Sequence, residues 1–186
     1  MSAVPQVRMS LEAFLVWEQE QEPRYELVDG EVFAMAGGST FHAHIGVNLA
    51  ATLREQLRPR GCFTFHEGMK VRVGADVVYP DVVVSCDPEQ LERSLVERPA
   101  LIVEVLSPST ESFDRGRKWA LYQQLSSLQA YLLVSQEALS VEVFVRAAHG
   151  WHYRREAGAE AVVELAAPPC RLALTDVYDG LLARLG

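Results

Sequence analysis

The sequence predicts an α/β protein with a β-hairpin toward each end, and two apolar patterns and one turn carry that prediction. Leu101-Ile102-Val103-Glu104-Val105-Leu106 and Ala130 to Val134 are near-continuous apolar runs of the kind found at the buried centre of a sheet. Ile45, Leu49, Thr52, Leu53 and Leu57 recur at helical spacing between about Phe41 and Leu57. Asp29-Gly30 stands between two apolar runs, the strongest short-range hairpin signal. The 186 residues suit a single domain over 1–186, long enough to bury a core.

The elements follow in order. Ser10 is placed to cap a short amphipathic helix over residues 10–21 that ends near Pro23 and carries Leu11, Phe14, Leu15 and Trp17 mostly on one face. In a two-residue Asp29-Gly30 turn, Val28 lies opposite Glu31 and Glu26 opposite Phe33, so these four share one face. Acids on such a face are either solvent-facing or part of a site. After Gly37-Gly38-Ser39-Thr40 comes the helix to Leu57, with His42 and His44 in its first turn; two residues apart, they point in different directions. Cys62 to Val73 and Asp76 to Ser85 read as a second hairpin turned at Gly74-Ala75, bent or bulged at Pro80 because proline gives no ladder donor. Residues 86–99 are polar and acidic, a loop or short surface helix. Ser107-Pro108-Ser109-Thr110 primes a helix from about Glu111 to Leu125 with Asp114, Lys118 and Tyr122 on one face. A hairpin from Val141 to Arg155, strands at Val162 to Leu165 and Arg171 to Leu174, and a small helix close the chain.

The net charge of −8 argues against coating nucleic acid by bulk electrostatics, though a metal cluster needs acids and a local basic patch can still meet phosphate. Cys62, Cys86 and Cys170 are widely spaced and form no CxxC pair, so neither a zinc knuckle nor a disulfide framework is indicated; they read as buried or half-buried thiols. Met1 to Arg8 lacks the basic-then-apolar layout of a signal peptide, and no apolar run is long enough to span a bilayer. A cytoplasmic location and no membrane partner are the default expectations.

The chemistry is expected where carboxylates interrupt apolar strands. Asp81, in Tyr79-Pro80-Asp81-Val82-Val83-Val84, and Glu104, in Leu101 to Leu106, each need something to pair with if buried. A divalent ion acting on phosphates takes one or two carboxylates plus water and substrate, which Asp81 and Glu104 can supply. A lysine near the metal orients or deprotonates the attacking water and offsets phosphate charge. Glu-x-Lys on one strand is the usual placement, but here the position two after Glu104 is Leu106. Lys118, from the following helix, is the replacement. The blander reading of Asp81, Glu104 and Lys118 is a buried salt-bridge network without metal.

Tyr79-Pro80-Asp81, then Ile102-Val103-Glu104-Val105-Leu106-Ser107-Pro108-Ser109, then Asp114-Arg115-Gly116 with Lys118 and Tyr122, together resemble the Uma-two family, assigned as endonucleases of the PD-(D/E)XK, or restriction-endonuclease-like, superfamily. Tyr25-Glu26-Leu27-Val28-Asp29-Gly30-Glu31 and His42-Ala43 with Ile45 and Asn48-Leu49 also match, as do Tyr122-Gln123-Gln124-Leu125 and Ser127-Leu128-Gln129. The resemblance implies a restriction-endonuclease-like mixed central sheet flanked by helices. It implies a divalent metal, Mg²⁺ or Mn²⁺, with Asp81 and Glu104 as ligands and Lys118 as a displaced catalytic lysine. It also implies that Glu31 and His42 sit beside the site, with Glu26 a rival to Glu31; His44 matches no family position.

The leading expectation is a metal-dependent endonuclease that hydrolyses phosphodiester bonds of DNA. The alternative is a non-catalytic binding or scaffold module on a nuclease fold. A homodimer is expected from the apolar N-terminal helix and the need to engage two strands.

Overall fold

The chain passes from one sheet to another at Tyr79-Pro80-Asp81. In this structure, a computed structural model that describes residues 8–35 and 37–185, one sheet has five strands and the other six. Of the Met1 to Arg8 stretch, residues 1–7 lie outside the described residues. The five-stranded sheet runs β2 (Glu31–Ala34), β1 (Tyr25–Val28), β5 (Asp76–Val78), β4 (Lys70–Val73) and β7 (Leu95–Val96). The six-stranded sheet runs β11 (Gly150–Ala157), β10 (Ser140–Ala147), β9 (Ala130–Ser135), β8 (Leu101–Leu106), β6 (Val82–Ser85) and β3 (Phe63–His66). It is mixed: β8 and β9 are parallel and its other neighbours antiparallel.

Helices and the second sheet cover both faces of the central strands. Helix α2 (Thr40–Leu57) lays Ile45, Leu49, Leu53 and Leu57 on Val82, Val84, Leu101, Val103 and Val105. The terminal hairpin β12 (Val162–Ala166) and β13 (Pro169–Ala173) completes that layer. The opposite face, with Val83, Ile102, Leu106 and Leu133, packs against Val28, Phe33, Val71 and Val78 of the five-stranded sheet and Leu121 and Tyr122 of a helix. Strand alternation decides which layer each residue joins, so Glu104 shares the face of Ile102 and Leu106. No helix among the described residues is long and apolar enough to cross a membrane.

Helix α1 (Leu11–Trp17) is capped by Ser10, whose Oγ accepts from the Ala13 amide at 3.2 Å. Its Leu11 and Phe14 pack on Leu27, Val32 and Val77. The apolar face that motivated a homodimer is therefore largely covered by the chain's own N-terminal hairpin, although Val16 stays 69% exposed.

Three sequence expectations need correction. The expected hairpin from Cys62 to Ser85 is divided: β4 and β5 pair around Gly74-Ala75 in one sheet, whereas β3 and β6 pair in the other. Pro80 has no amide to offer a ladder, and instead of a bend or bulge within one strand the strand ends there. The helix expected over 111–125 is α3 (Glu111–Phe113), a π turn over Asp114–Lys118 and α4 (Trp119–Tyr122). Finally, Cys62 and Cys86 are not free thiols but a disulfide. The register that sets Phe63 opposite Ser85 brings these flanking residues face to face, with Cα atoms 3.9 Å apart. Nothing in a 24-residue separation signals that pairing.

Cys170 remains a thiol, buried, and burial pushes it up to about 11. At pH 8 only about one thiol in a thousand would then be thiolate, the reactive form. Without reductant, a chromogenic thiol reagent at pH 8 is expected to find almost no reactive thiol in the native protein and one per chain in denaturant. Three per chain in denaturant would contradict the Cys62–Cys86 bond.

Candidate active site

The break after β5 makes the site. Asp81 stands just before β6, where β6 and β8 are still in register through Val82 and Val103. Beyond that pair the Asp81 carboxylate takes the place of the ladder: its Oδ2 accepts from the Val105 amide at 2.6 Å. Its Oδ1 lies 2.9 Å from Nε2 of His42, in the first turn of α2. Gly38 lets His42 settle there, since a Cβ on Gly38 would stand 3.0 Å from the imidazole Cδ2.

Glu104, 2% exposed on β8, is fixed by two donors. Lys118 Nζ reaches its Oε1 at 3.1 Å and the Tyr122 hydroxyl donates to the same oxygen at 2.8 Å. Lys118 is also 3.0 Å from Glu26 and 3.5 Å from Asp114. All three residues of the Asp114, Lys118, Tyr122 stripe are buried and converge on the site. The π turn between the first two widens the helix where they enter, and such turns are frequent at functional sites. Tyr131 supports it by donating to the Asp114 carbonyl at 3.2 Å.

Glu26 is fully buried because β1 is an interior strand, paired with both β2 and β5. Its Oε1 accepts from the Tyr79 amide at 2.8 Å, which ties the N-terminal hairpin to the sheet crossover. Of the two readings open for the hairpin acids, burial therefore holds for Glu26. Glu31 shares that face but lies at the turn end, 3.4 Å from Arg117, away from the pocket that Glu26 lines.

The structure thus brings Asp81, Glu104, Lys118 and His42 to the walls of one small cavity of about 60 Å³, with Glu26, Tyr79 and Asp114, and leaves Glu31 outside it. Sequence reasoning weighed Glu26 only as a rival and used Asp114 and Tyr122 only as motif and stripe residues. The stripe was the available signal: a polar helical face following a buried strand with one carboxylate has to meet that carboxylate.

Negative charge is in excess: four carboxylates face Lys118 and His42. Burial raises the carboxyls of Glu26, Glu104 and Asp114 above their ordinary range, against the pull of Lys118. Burial pulls Lys118 down, but Glu104, Glu26 and Asp114 outweigh it and hold the ammonium above its ordinary value. Burial likewise lowers His42, and the hydrogen bond and charge of Asp81 more than reverse it. Buried Glu26 Oε2 and Asp114 Oδ1 have no hydrogen-bond partner.

This donor set suits a hard divalent cation. Among the described residues no group of three or more His, Cys, Asp or Glu side chains is placed to hold a metal ion. Mg²⁺ does not require one, since it keeps several waters and takes one or two carboxylates. Asp81, just before β6, and Glu104, on the neighbouring β8, are the two from the central sheet; each Asp81 oxygen keeps a second lone pair beyond the bonds described, whereas Glu104 Oε1 already takes two donors and leaves its Oε2 for an ion.

A mixed sheet that carries two acids to one strand end, with a lysine returning from the next helix, defines a protein of nuclease fold. The chain belongs to the Uma2 family, described as "Putative restriction endonuclease", which matches residues 11–175. It is similar to the Synechocystis sp. protein slr1290, 34% identical over 182 residues and 96% of each chain. The protein sll1609 of the same organism is 32% identical over 134 residues, covering 69% of this chain and 76% of that one. The crystal structure of "a putative nuclease belonging to DUF820" from Anabaena variabilis shares the fold, with a TM-score of 0.78 at 18% identity over 94% of this chain and 99% of that one. Membership makes the chain nuclease-like, of a kind acting on nucleic acid, within a superfamily that generally uses divalent metals.

Proposed function

We propose that the chain is a Mg²⁺- or Mn²⁺-dependent endonuclease that hydrolyses DNA phosphodiester bonds, with Asp81 and Glu104 as metal ligands. The observation that carries the reading is the convergence of Asp81, Glu104 and Lys118 on one cavity from three separate elements. A bound divalent ion would lower the pKa of its water and draw charge from the phosphate. The chain's own residues do the rest. Tyr122 and Lys118 fix the Glu104 carboxylate, and the Val105 amide and His42 fix that of Asp81. Lys118, held protonated, offsets charge that develops on the phosphoryl oxygens.

Calorimetric titration with Mn²⁺ tests the metal. Wild type is expected to give a saturable heat and Glu104→Ala to lose it. A wild type without metal-dependent heat would sink the assignment.

One observation favours the non-catalytic module. Lys118 sits among three buried carboxylates, the arrangement of a structural ion network. That reading predicts DNA or partner binding with no nicking of plasmid in Mn²⁺.

A further inference from the structure

Beside the small cavity lies a larger cleft of about 320 Å³. The two share Met35, Gly37, Gly38, His42, Tyr79 and Asp81 as walls, so whatever occupies the cleft abuts Asp81, one of the two candidate metal ligands. Arg24, just before β1, lines the part the two do not share. Its guanidinium carbon is 5.8 Å from the Tyr79 ring centroid. Its other support is the bare backbone of Gly68: a Cβ there would stand 2.7 Å from an Arg24 guanidinium nitrogen. Gly68 also adopts φ +76°, where a side chain would be strained. Two local features thus make room for this one planar cation.

Arg24 is the Arg or Lys among the residues lining this cleft, and it has no carboxylate within ion-pair distance among the described residues, whereas Lys118 in the neighbouring cavity has three. The cleft also holds Glu67, whose carboxylate lies 4.0 Å from His66 Nε2. Pro23, Pro80 and Met35 supply apolar wall, and the N-terminus of the eighteen-residue α2 adjoins through Gly38 and His42. An apolar wall between an unpaired guanidinium and a helix N-terminus matches a sugar–phosphate unit: phosphate on the guanidinium, sugar on the prolines and methionine.

We infer that this cleft is a backbone subsite for the nucleotide flanking the scissile phosphodiester, with Arg24 as its phosphate-binding residue. The inference rests on the nuclease reading above. It assigns the cleft to nucleic acid through its phosphate, independently of sequence, because a single phosphate contact carries no base information.

The test is fluorescence anisotropy of a fluorescein-labelled 16-base-pair DNA duplex in Ca²⁺, across a salt series. Arg24→Ala is expected to weaken binding about tenfold and to reduce the slope of log affinity against log salt by about 1. Arg24→Gln keeps a polar side chain without the charge and carries the same expectation. It serves if the alanine variant does not fold, as judged by circular dichroism. Mn²⁺ heats should match wild type in both, since neither candidate ligand is altered. A folded variant with unchanged affinity and slope overturns the subsite while leaving the nuclease reading in place. A wild type that binds no duplex overturns both. A wild type that binds but does not nick, with Arg24→Ala still weakened, upholds Arg24 as a phosphate contact but overturns its placement beside a scissile bond.

Discussion

Lys118→Ala is expected to lower the free energy of unfolding by about 3–5 kcal/mol, the range for removing one partner of a buried ion pair. The ammonium lies within 3.5 Å of Glu26, Glu104 and Asp114, and all four residues are at most 4% exposed. Without it three carboxyls share a dry site with no cation, and part of the cost is met by their taking up protons. The urea midpoint measures the loss. Adding Glu26→Gln to the alanine variant is expected to recover part of it, because one unpaired carboxylate is gone. The same variant is expected to lose plasmid nicking in Mn²⁺ while still giving a Mn²⁺ heat from Asp81 and Glu104. Wild-type stability for Lys118→Ala would mean that the network contributes little to folding. Undiminished nicking would remove Lys118 from the chemistry.

Glu104→Gln is expected to do the reverse: stability within about 1 kcal/mol of wild type, but nicking reduced about 10³-fold or more. The amide oxygen can still accept from Tyr122, and Lys118 keeps two carboxylates, so no buried charge is stranded. Removing one of several like charges also relieves repulsion. What is lost is an anionic ligand for the metal. Urea melts and supercoiled-plasmid assays on the same preparation separate the two effects. A large stability loss with unchanged nicking would identify Glu104 as structural. The opposed responses of Lys118 and Glu104 distinguish a catalytic site built over an ion network from the network alone.

Much of the site was legible because the chemistry requires scarce residue types in improbable surroundings. Asp81 and Glu104 stand out as lone acids in apolar strands, and Leu106 in the usual lysine position directs attention to the next helix. Asp29-Gly30 fixed the hairpin register, Val28 opposite Glu31 and Glu26 opposite Phe33, as the structure has it. That turn did not reveal that β1 is an interior strand. Its second neighbour, β5, comes from almost fifty residues further on, through the pair Leu27 and Val77. Only that pairing buries Glu26 and makes it a partner of Lys118, while Glu31, two residues beyond the turn's start, stays with Arg117.

Local sequence, then, determined most of the element types, the face that strand and helix residues take, and which acids were candidates for a site. Those properties depend on spacing within a few residues and on side-chain type. The tertiary structure decided what depends on distant register: the division of one expected hairpin between two sheets at Pro80, the Cys62–Cys86 bond, and the choice of Glu26 over Glu31 as a wall of the site. It also decided that Lys118, one helix beyond its usual strand, reaches Glu104. A π turn places it there, and the energy of three buried carboxylates in need of a cation holds it.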